Sequence, residues 1–173
     1  MKVIMILDQV QSGYGTKNDK MVPLTGTKEI IGPAVIMKPY LSEIGANIVA
    51  TLYCGAGTYL ENPNEVSRKF CAMINKLKPD FVICGPSVSY AESASMCAKV
   101  AYDIITTTNT KALAAVSIDN AEIIEMYKDK VVIVKTPRKG QGGLSDSLKN
   151  ICTVAKRLVD CVELDDIKNK VCF

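Results

Sequence analysis

The sequence predicts a three-layer α/β/α sandwich built around a mostly parallel five-stranded sheet. Five short apolar runs predict the strands, and each run is continuous because a strand buried on both faces needs apolar side chains on both sides. Amphipathic stretches separate these runs; in one of them Val66, Phe70, Met73, Ile74 and Leu77 fall on one face of a helix. Alternation of this kind gives an open parallel sheet with helices on both faces.

The predicted elements follow one another in a regular order. The strands are assigned to residues 3–7, 48–53, 81–84, 112–118 and 131–134. The helices are assigned to residues 33–44, 66–77, 91–105, 120–127 and 144–158. We expect the strand order 2-1-3-4-5, which is flavodoxin-like or Rossmann-like. Residues 9–31 are expected to form one long irregular segment, which in a compact domain is usually functional.

The chain length of 173 residues fits one domain. We assign residues 1–161 to a single α/β domain and residues 162–173 to a C-terminal tail, which we expect to dock on a partner. We also expect the protein to work as a homo- or hetero-oligomer.

The composition excludes several kinds of catalytic site. The chain has no His, so a Ser-His-Asp triad, a Cys-His pair and a His-ligated metal site cannot be built from it. It has seven Cys, an odd number, and none are arranged as C-x-x-C. Free thiols at this density indicate a reducing cytoplasm, and we predict no metal site.

Charge and hydropathy argue against two further classes of protein. The net charge is +3 and the basic residues are scattered, so we predict no nucleic-acid partner. No apolar stretch reaches the roughly 18 residues that a membrane-spanning helix needs, so we predict no membrane partner.

The candidate ligand site is predicted from the loops that follow the strands, because ligands of open parallel sheets bind outside the carboxyl ends of the strands. These loops are rich in glycine and hydroxyl side chains, and their backbone N–H groups near helix N-termini can bind a carboxylate. The predicted substrate-binding residues are Gly13, Tyr14, Gly55, Gly85, Pro86, Ser87, Ser89, Tyr90 and Cys97. Tyr14 is expected to close over the ligand and exclude water.

Cys54 is the candidate catalytic residue. It directly follows the second predicted strand and precedes Gly55, and the N–H groups of this glycine loop are expected to lower the pKa of its thiol. The alternative is that Cys54 is a buried strand-end residue without a chemical role.

None of the loops is a standard nucleotide motif, because the chain has neither G-x-G-x-x-G after the first strand nor a P-loop. We predict no cofactor. A flavin phosphate loop at Ser12–Thr16 remains a weak alternative, and for every loop it also remains open that Gly and Pro simply form the turns.

Short segments taken in order along residues 1–160 resemble the component B selenoprotein subunit of the glycine, sarcosine and betaine reductases. The similar segments are Gln9, Gly13-Tyr14-Gly15, Gly32-Pro33, Ala50-Thr51, Cys54-Gly55, Lys78-Pro79-Asp80, Gly85-Pro86, Cys97 and Val132–Thr136. The resemblance is to the N-terminal half only; family members are more than twice as long, and the region that carries their selenocysteine has no counterpart here.

The resemblance implies a role in the reductive cleavage of a C–N bond in a small amino acid, with a partner chain that supplies the selenol or thiol. Two other functions remain open. One is a non-catalytic module that binds a small carboxylate, and the other is a stand-alone thiol redox protein that uses Cys54.

Overall fold

The computed structural model describes residues 1–87 and 90–173. Their strands are β1 (Lys2–Asp8), β2 (Thr25–Thr27), β3 (Asn47–Cys54), β4 (Phe81–Ser87), β5 (Lys111–Ser117) and β6 (Ile133–Thr136). Their helices are α1 (Gln9–Ser12), α2 (Pro33–Glu43), α3 (Ala56–Glu61), α4 (Pro63–Leu77), α5 (Ala91–Thr107), α6 (Ala121–Tyr127), α7 (Leu144–Val159) and α8 (Asp165–Val171).

The sheet has the order β2-β3-β1-β4-β5-β6, and every pair except β2–β3 is parallel. The five predicted strands and their 2-1-3-4-5 order are therefore confirmed. The sheet has six strands rather than the predicted five, because residues 25–27 add an antiparallel strand at one edge.

Two apolar cores, one on each face of the sheet, confirm the three-layer prediction. One core joins the sheet to α4, α5 and α6, and it contains fully buried Phe70 and Tyr59. The other joins the sheet to α2, α7 and α8 through residues such as Met37, Leu41 and Ile151. The alternation of strand residues between the two faces decides which side chain meets which helix.

Helix α4 shows how local sequence fixes an element. The side chain of Asn62 caps it by accepting a hydrogen bond from the backbone N–H of Glu65 (3.1 Å), and Pro63 occupies the first turn, where no intrahelical donor is needed. Lys76 lies in the last turn, where a positive charge is favourable, and Lys78 ends the helix in the left-handed conformation.

Residues 162–173 contain the short helix α8 and return to the sheet. Cys172 forms an antiparallel bridge with Val134, and the N–H of Phe173 donates to the carbonyl of Ile133 (3.0 Å). Lys135 Nζ lies 5.4 Å from the ring centroid of Phe173. The segment predicted as a tail thus covers the β6 edge of the sheet.

Candidate functional site

The carboxyl ends of the central strands bring polar side chains together on one face of the sheet. Asp8 and Cys54 are register partners in β1 and β3. Asp8 lies two residues after Ile6, whose side chain is in the core beneath α5, so its own side chain points to the same face. Ser87 ends β4 beside Val116, which also belongs to that core. Asp8, Cys54 and Ser87 therefore gather under the first turns of α5.

Asp8 is a buried carboxylate that accepts one hydrogen bond from the residues that the structure describes. It is 3% exposed, and its Oδ1 accepts from the N–H of Gln11 (2.7 Å), which caps α1. Within the residues that the structure describes, no Lys or Arg forms an ion pair with it. A buried negative charge without a counter-charge is costly, which makes Asp8 a candidate binding group.

Ser87 is the second unusual polar group. Its side chain is fully buried, and its Oγ has no hydrogen-bond partner in the described part of the chain. Its carbonyl accepts from Thr136 Oγ1 (3.3 Å), so the backbone is held while the hydroxyl is not. The preceding Gly85-Pro86 peptide is cis, and Gly85 has a φ of 110°. Buried polar groups nearly always form hydrogen bonds, so a hydroxyl without one at the carboxyl end of a central strand indicates a ligand site.

Cys54 lies at this site as a neutral thiol. It is fully buried, and burial raises its pKa to about 11, although the positive charge of Lys69 opposes the shift. The expectation that neighbouring N–H groups lower this pKa is therefore wrong. The thiol instead faces carbonyl oxygens, since its Sγ lies 3.5 Å from that of Gly55 and 3.9 Å from that of Val22.

Cys97 reaches the same face from α5. It is buried, and burial raises the pKa of its thiol, with a further contribution from the negative charge of Asp8. The structure thus places Cys97 near Asp8, as well as near the strand-end site predicted from the sequence. Neither thiol is an ionised nucleophile at neutral pH in this conformation.

The glycine loop after β3 is not an open anion site. Its N–H groups donate within the chain: Gly55 to the carbonyl of Val22 (2.8 Å) and Gly57 to that of Lys20 (3.0 Å). The N–H of Ala56 donates to Gln9 Oε1 (2.9 Å). The expectation that the Gly55 loop binds a carboxylate is therefore wrong for this conformation, because its donors are already satisfied.

Residues 16–22 form a strap across the carboxyl ends of β1 and β3. At its middle, Lys20 Nζ lies 2.8 Å from Glu92 Oε1 in the first turn of α5, and that hydrogen bond lowers the pKa of Glu92. Lys17 Nζ lies 5.9 Å from the ring centroid of Tyr90. The strap covers Cys54, so a ligand can reach this thiol only if the strap moves.

Gln9 is a positioning residue that sequence reasoning missed as part of the site. It is 2% exposed, its Oε1 holds the start of α3, and its carbonyl accepts from the N–H of Gly15 (2.9 Å). The sequence signal for this role was the position of Gln9, a polar residue at the end of a buried strand. Gln9 joins the loop after β1 to the loop after β3.

Tyr14 packs within the chain. Its ring stacks on that of Tyr53 with centroids 4.7 Å apart, while half of its surface stays exposed. Gly13 ends α1 in the left-handed conformation with a φ of 79°. Ser89, another predicted binding residue, lies outside the described residues.

The described part of the chain also has clefts away from this site. An apolar cleft of about 180 Å³ also lies near the carboxyl ends of the strands, but on the opposite face of the sheet, and Pro86 forms part of its wall. A larger cleft of about 690 Å³ lies at the amino ends of β5 and β6, lined in part by Lys111, Lys128 and Lys130. We place the candidate site at the carboxyl ends, because ligands of parallel sheets bind there.

Loss of the Lys20–Glu92 ion pair is expected to loosen the strap. Because a partly exposed pair contributes roughly 0.2–1 kcal/mol, Lys20→Gln should raise the rate of Cys54 alkylation by about twofold to fivefold. The rate is read by iodoacetamide labelling and peptide mass spectrometry, with exposed Cys161 as the internal reference. Lys128→Gln breaks a comparable pair with Glu125 far from the strap and should leave the rate unchanged; equal rates in the two variants would contradict the role of Lys20.

Comparison with known proteins places this chain in a family. The family model for glycine/sarcosine/betaine reductase selenoprotein B matches residues 1–171. The chain belongs to this family. None of the helices in residues 1–87 and 90–173 is long and apolar enough to cross a bilayer.

Individual relatives of this selenoprotein B family chain are distant and much longer. The chain is 22% identical over 159 residues to the sarcosine reductase complex component B subunit beta of Peptoclostridium acidaminophilum. The matched region covers 92% of this chain and 35% of that protein. It is 26% identical over 136 residues to the glycine reductase complex component B subunit gamma of Symbiobacterium thermophilum, covering 79% of this chain and 31% of that protein. The chain thus spans about a third of the length of these relatives.

Proposed function

We infer that this chain is the ligand-binding part of a component B-type amino-acid reductase assembly. In this role it holds a small carboxylate or amino acid at the carboxyl ends of β1, β3 and β4, and a partner chain supplies the selenol or thiol for reductive C–N cleavage. The assembly works in a reducing cytoplasm. The observation that carries the proposal is the unpaired, buried hydroxyl of Ser87 next to the buried carboxylate of Asp8, which has no ion-pair partner among the described residues, beside thiols that are not ionised.

The raised pKa values of the thiols favour a partner over chemistry by this chain alone. A thiol with a pKa of about 11 is almost entirely protonated at pH 7, so Cys54 is a poor nucleophile while the strap is closed. Cys97 is disfavoured in the same way by burial and by Asp8. The same observation argues against a stand-alone thiol redox protein.

The predicted residues take binding roles in this proposal. Tyr90 and the first turn of α5 face the ligand's carboxylate, because Tyr90, the N-cap residue, makes no side-chain cap hydrogen bond to the described residues and is only half-buried. Gly85 and Pro86 shape the end of β4, since a Cβ at Gly85 would lie 2.6 Å from the carbonyl oxygen of Ala115. Cys54 and Cys97 form the floor of the site.

Affinity purification of the tagged chain from its own cell extract, under anaerobic conditions, tests the need for a partner. We expect a stoichiometric partner with a selenocysteine or paired thiols, identified by mass spectrometry. Calorimetric titration of the purified chain with acetate, glycolate and glycine tests the binding role separately. Recovery of the chain alone together with carboxylate binding would leave a non-catalytic binding module, and the absence of both would overturn the proposal.

A further inference from the structure

Asp8 and Ser87 lie at the ends of two hydrogen-bonded parallel strands, at the point where the strand order reverses. Ile6 and Cys84 are Cα partners in β1 and β4, and both side chains lie in the core beneath α5. Asp8 follows Ile6 by two residues and Ser87 follows Cys84 by three, across the irregularity at Gly85-Pro86. Adjacent strands lie about 5 Å apart, so a small ligand that enters when the strap moves can contact both buried side chains.

The two side chains differ in what they lack. Asp8 has no ion-pair partner among the described residues, and its Oδ2 accepts no hydrogen bond from them. Ser87 has a hydroxyl that can accept a hydrogen bond and that no described group satisfies. The chemical group that satisfies both is a cation with N–H bonds, because it supplies a positive charge and several donors at one point.

We propose that Asp8 and Ser87 bind the protonated amino group of the ligand, and that this chain takes primary or secondary amines in preference to quaternary ones. The inference rests on the proposed function and adds to it the part of the ligand that the site recognises. Glycine and sarcosine have N–H bonds for both side chains. Betaine has none, and its methyl groups keep the positive charge farther from the carboxylate.

The position of Asp8 explains why the fold tolerates a buried carboxylate. The N–H of Gln11 stabilises one oxygen from the start of α1, and the other is left for the ligand. Binding sites commonly retain such groups at a cost in stability, which a ligand then offsets. Asp8→Asn, which keeps an oxygen to cap α1, and Ser87→Ala should therefore leave the folded chain as stable as the wild type or more stable, while ligand affinity falls.

Calorimetric titration of the full chain with glycine, sarcosine, betaine and glycolate tests the inference. We expect Asp8→Asn to weaken glycine and sarcosine binding about 10-fold to 100-fold, the range for a charge-assisted hydrogen bond, with little effect on glycolate. Ser87→Ala should weaken both amines about 3-fold to 10-fold. The wild type should bind glycine at least about 10-fold more tightly than betaine.

Two matched variants and a stability measurement separate binding from folding. Asp119→Asn changes an exposed acid that also lies at the carboxyl ends of the strands. Ser117→Ala changes a buried serine whose Oγ already accepts a hydrogen bond from the N–H of Asp119 (3.4 Å). Both should bind glycine as the wild type does. Urea unfolding should show Asp8→Asn folded, since Asn caps a helix as well as Asp does.

The outcomes distinguish this inference from the proposed function. Unchanged glycine affinity in Asp8→Asn and Ser87→Ala, or equal binding of glycine and betaine by the wild type, would overturn the inference. A wild type that binds glycolate but no amine would overturn it and leave the proposed function standing. A wild type that binds none of the four ligands would overturn both.

Discussion

Gly55→Ala should destabilise the chain and expose Cys54, because the strap passes directly over this glycine. A Cβ at Gly55 would lie 2.0 Å from the carbonyl oxygen of Lys20 and 2.6 Å from the backbone nitrogen of Val22. Neither backbone atom can rotate away as a side chain would. The φ of −65° at Gly55 is ordinary, so the effect is steric and does not come from backbone strain.

The expected loss is about 1–3 kcal/mol in the free energy of unfolding, the usual range for a forced backbone shift. Part of it comes from the hydrogen bonds to the carbonyls of Lys20 and Val22, which the displaced strap cannot keep. Iodoacetamide should then label Cys54 about 10-fold faster or more, because a loss of 1.4 kcal/mol in closing the strap increases the open population tenfold.

Gly142→Ala is the matched control for this variant. A Cβ at Gly142 meets nothing within 4 Å, and its φ is not positive, so the same chemical change is tolerated there. Urea unfolding and Cys54 labelling of both variants are compared with the wild type. If Gly55→Ala and Gly142→Ala have the same free energy of unfolding and the same rate of Cys54 labelling, the strap does not contact Gly55 in solution.

The parallel part of the fold was predictable because it depends on local patterns. Val3–Leu7 and Phe81–Cys84 are apolar throughout, which identifies strands buried on both faces, and chain order then limits the possible topologies. Strand β2 was not predictable, since Thr25, Gly26 and Thr27 carry no apolar pattern and form a strand only by pairing with β3. The short helix α3 was missed because its glycines looked like a loop.

The sequence predicted which residues meet at the carboxyl ends of the strands, but two expectations about their chemistry were wrong. The loops after the strands do meet at the carboxyl ends of the strands, and Cys54, Ser87 and Cys97 lie on the face of the sheet that packs against α5. The sequence could not show that the carbonyls of Lys20 and Val22 satisfy the Gly55 loop, because those residues lie more than 30 positions earlier in the chain. Burial of Cys54 by the strap follows from the same contacts.

Asp8 illustrates the opposite case, in which a visible signal was not used. An acid directly after a continuous apolar strand lies at the carboxyl edge in any parallel α/β fold. The sequence does not show which charges surround Asp8 in the folded chain. Asp8 is a candidate binding group because it is buried and no Lys or Arg among the described residues forms an ion pair with it.

Alkaline pH should destabilise this chain, because its buried thiols stay protonated in the folded state and lose their protons in the unfolded state. Burial raises the pKa of Cys54 from 9.0 to about 11 and that of Cys152 from 9.0 to about 12. Burial also raises the pKa values of Cys84 and Cys97. Below pH 9 these thiols are protonated in both states, so their contribution to stability is complete there.

Between pH 9 and pH 11 the unfolded chain releases these protons and the folded chain retains them, so the free energy of unfolding falls as pH rises. At 1.36 kcal/mol for each pKa unit, the loss is about 3 kcal/mol for Cys54 by pH 11 and about 4 kcal/mol for Cys152 by pH 12. Burial raises the pKa of Tyr59 to about 12, which adds a loss of the same sign above pH 10.

Urea unfolding in a reducing buffer at pH 8, 9, 10 and 11 measures this dependence. Cys54→Ala should be less stable than the wild type at pH 8, because it loses packing, and its stability should fall less steeply toward pH 11. Cys161→Ala changes an exposed thiol and should follow the wild-type curve throughout. Parallel curves for all three proteins would show that the Cys54 thiol ionises as readily in the folded chain as in the unfolded one, and burial would then not be what keeps this thiol neutral.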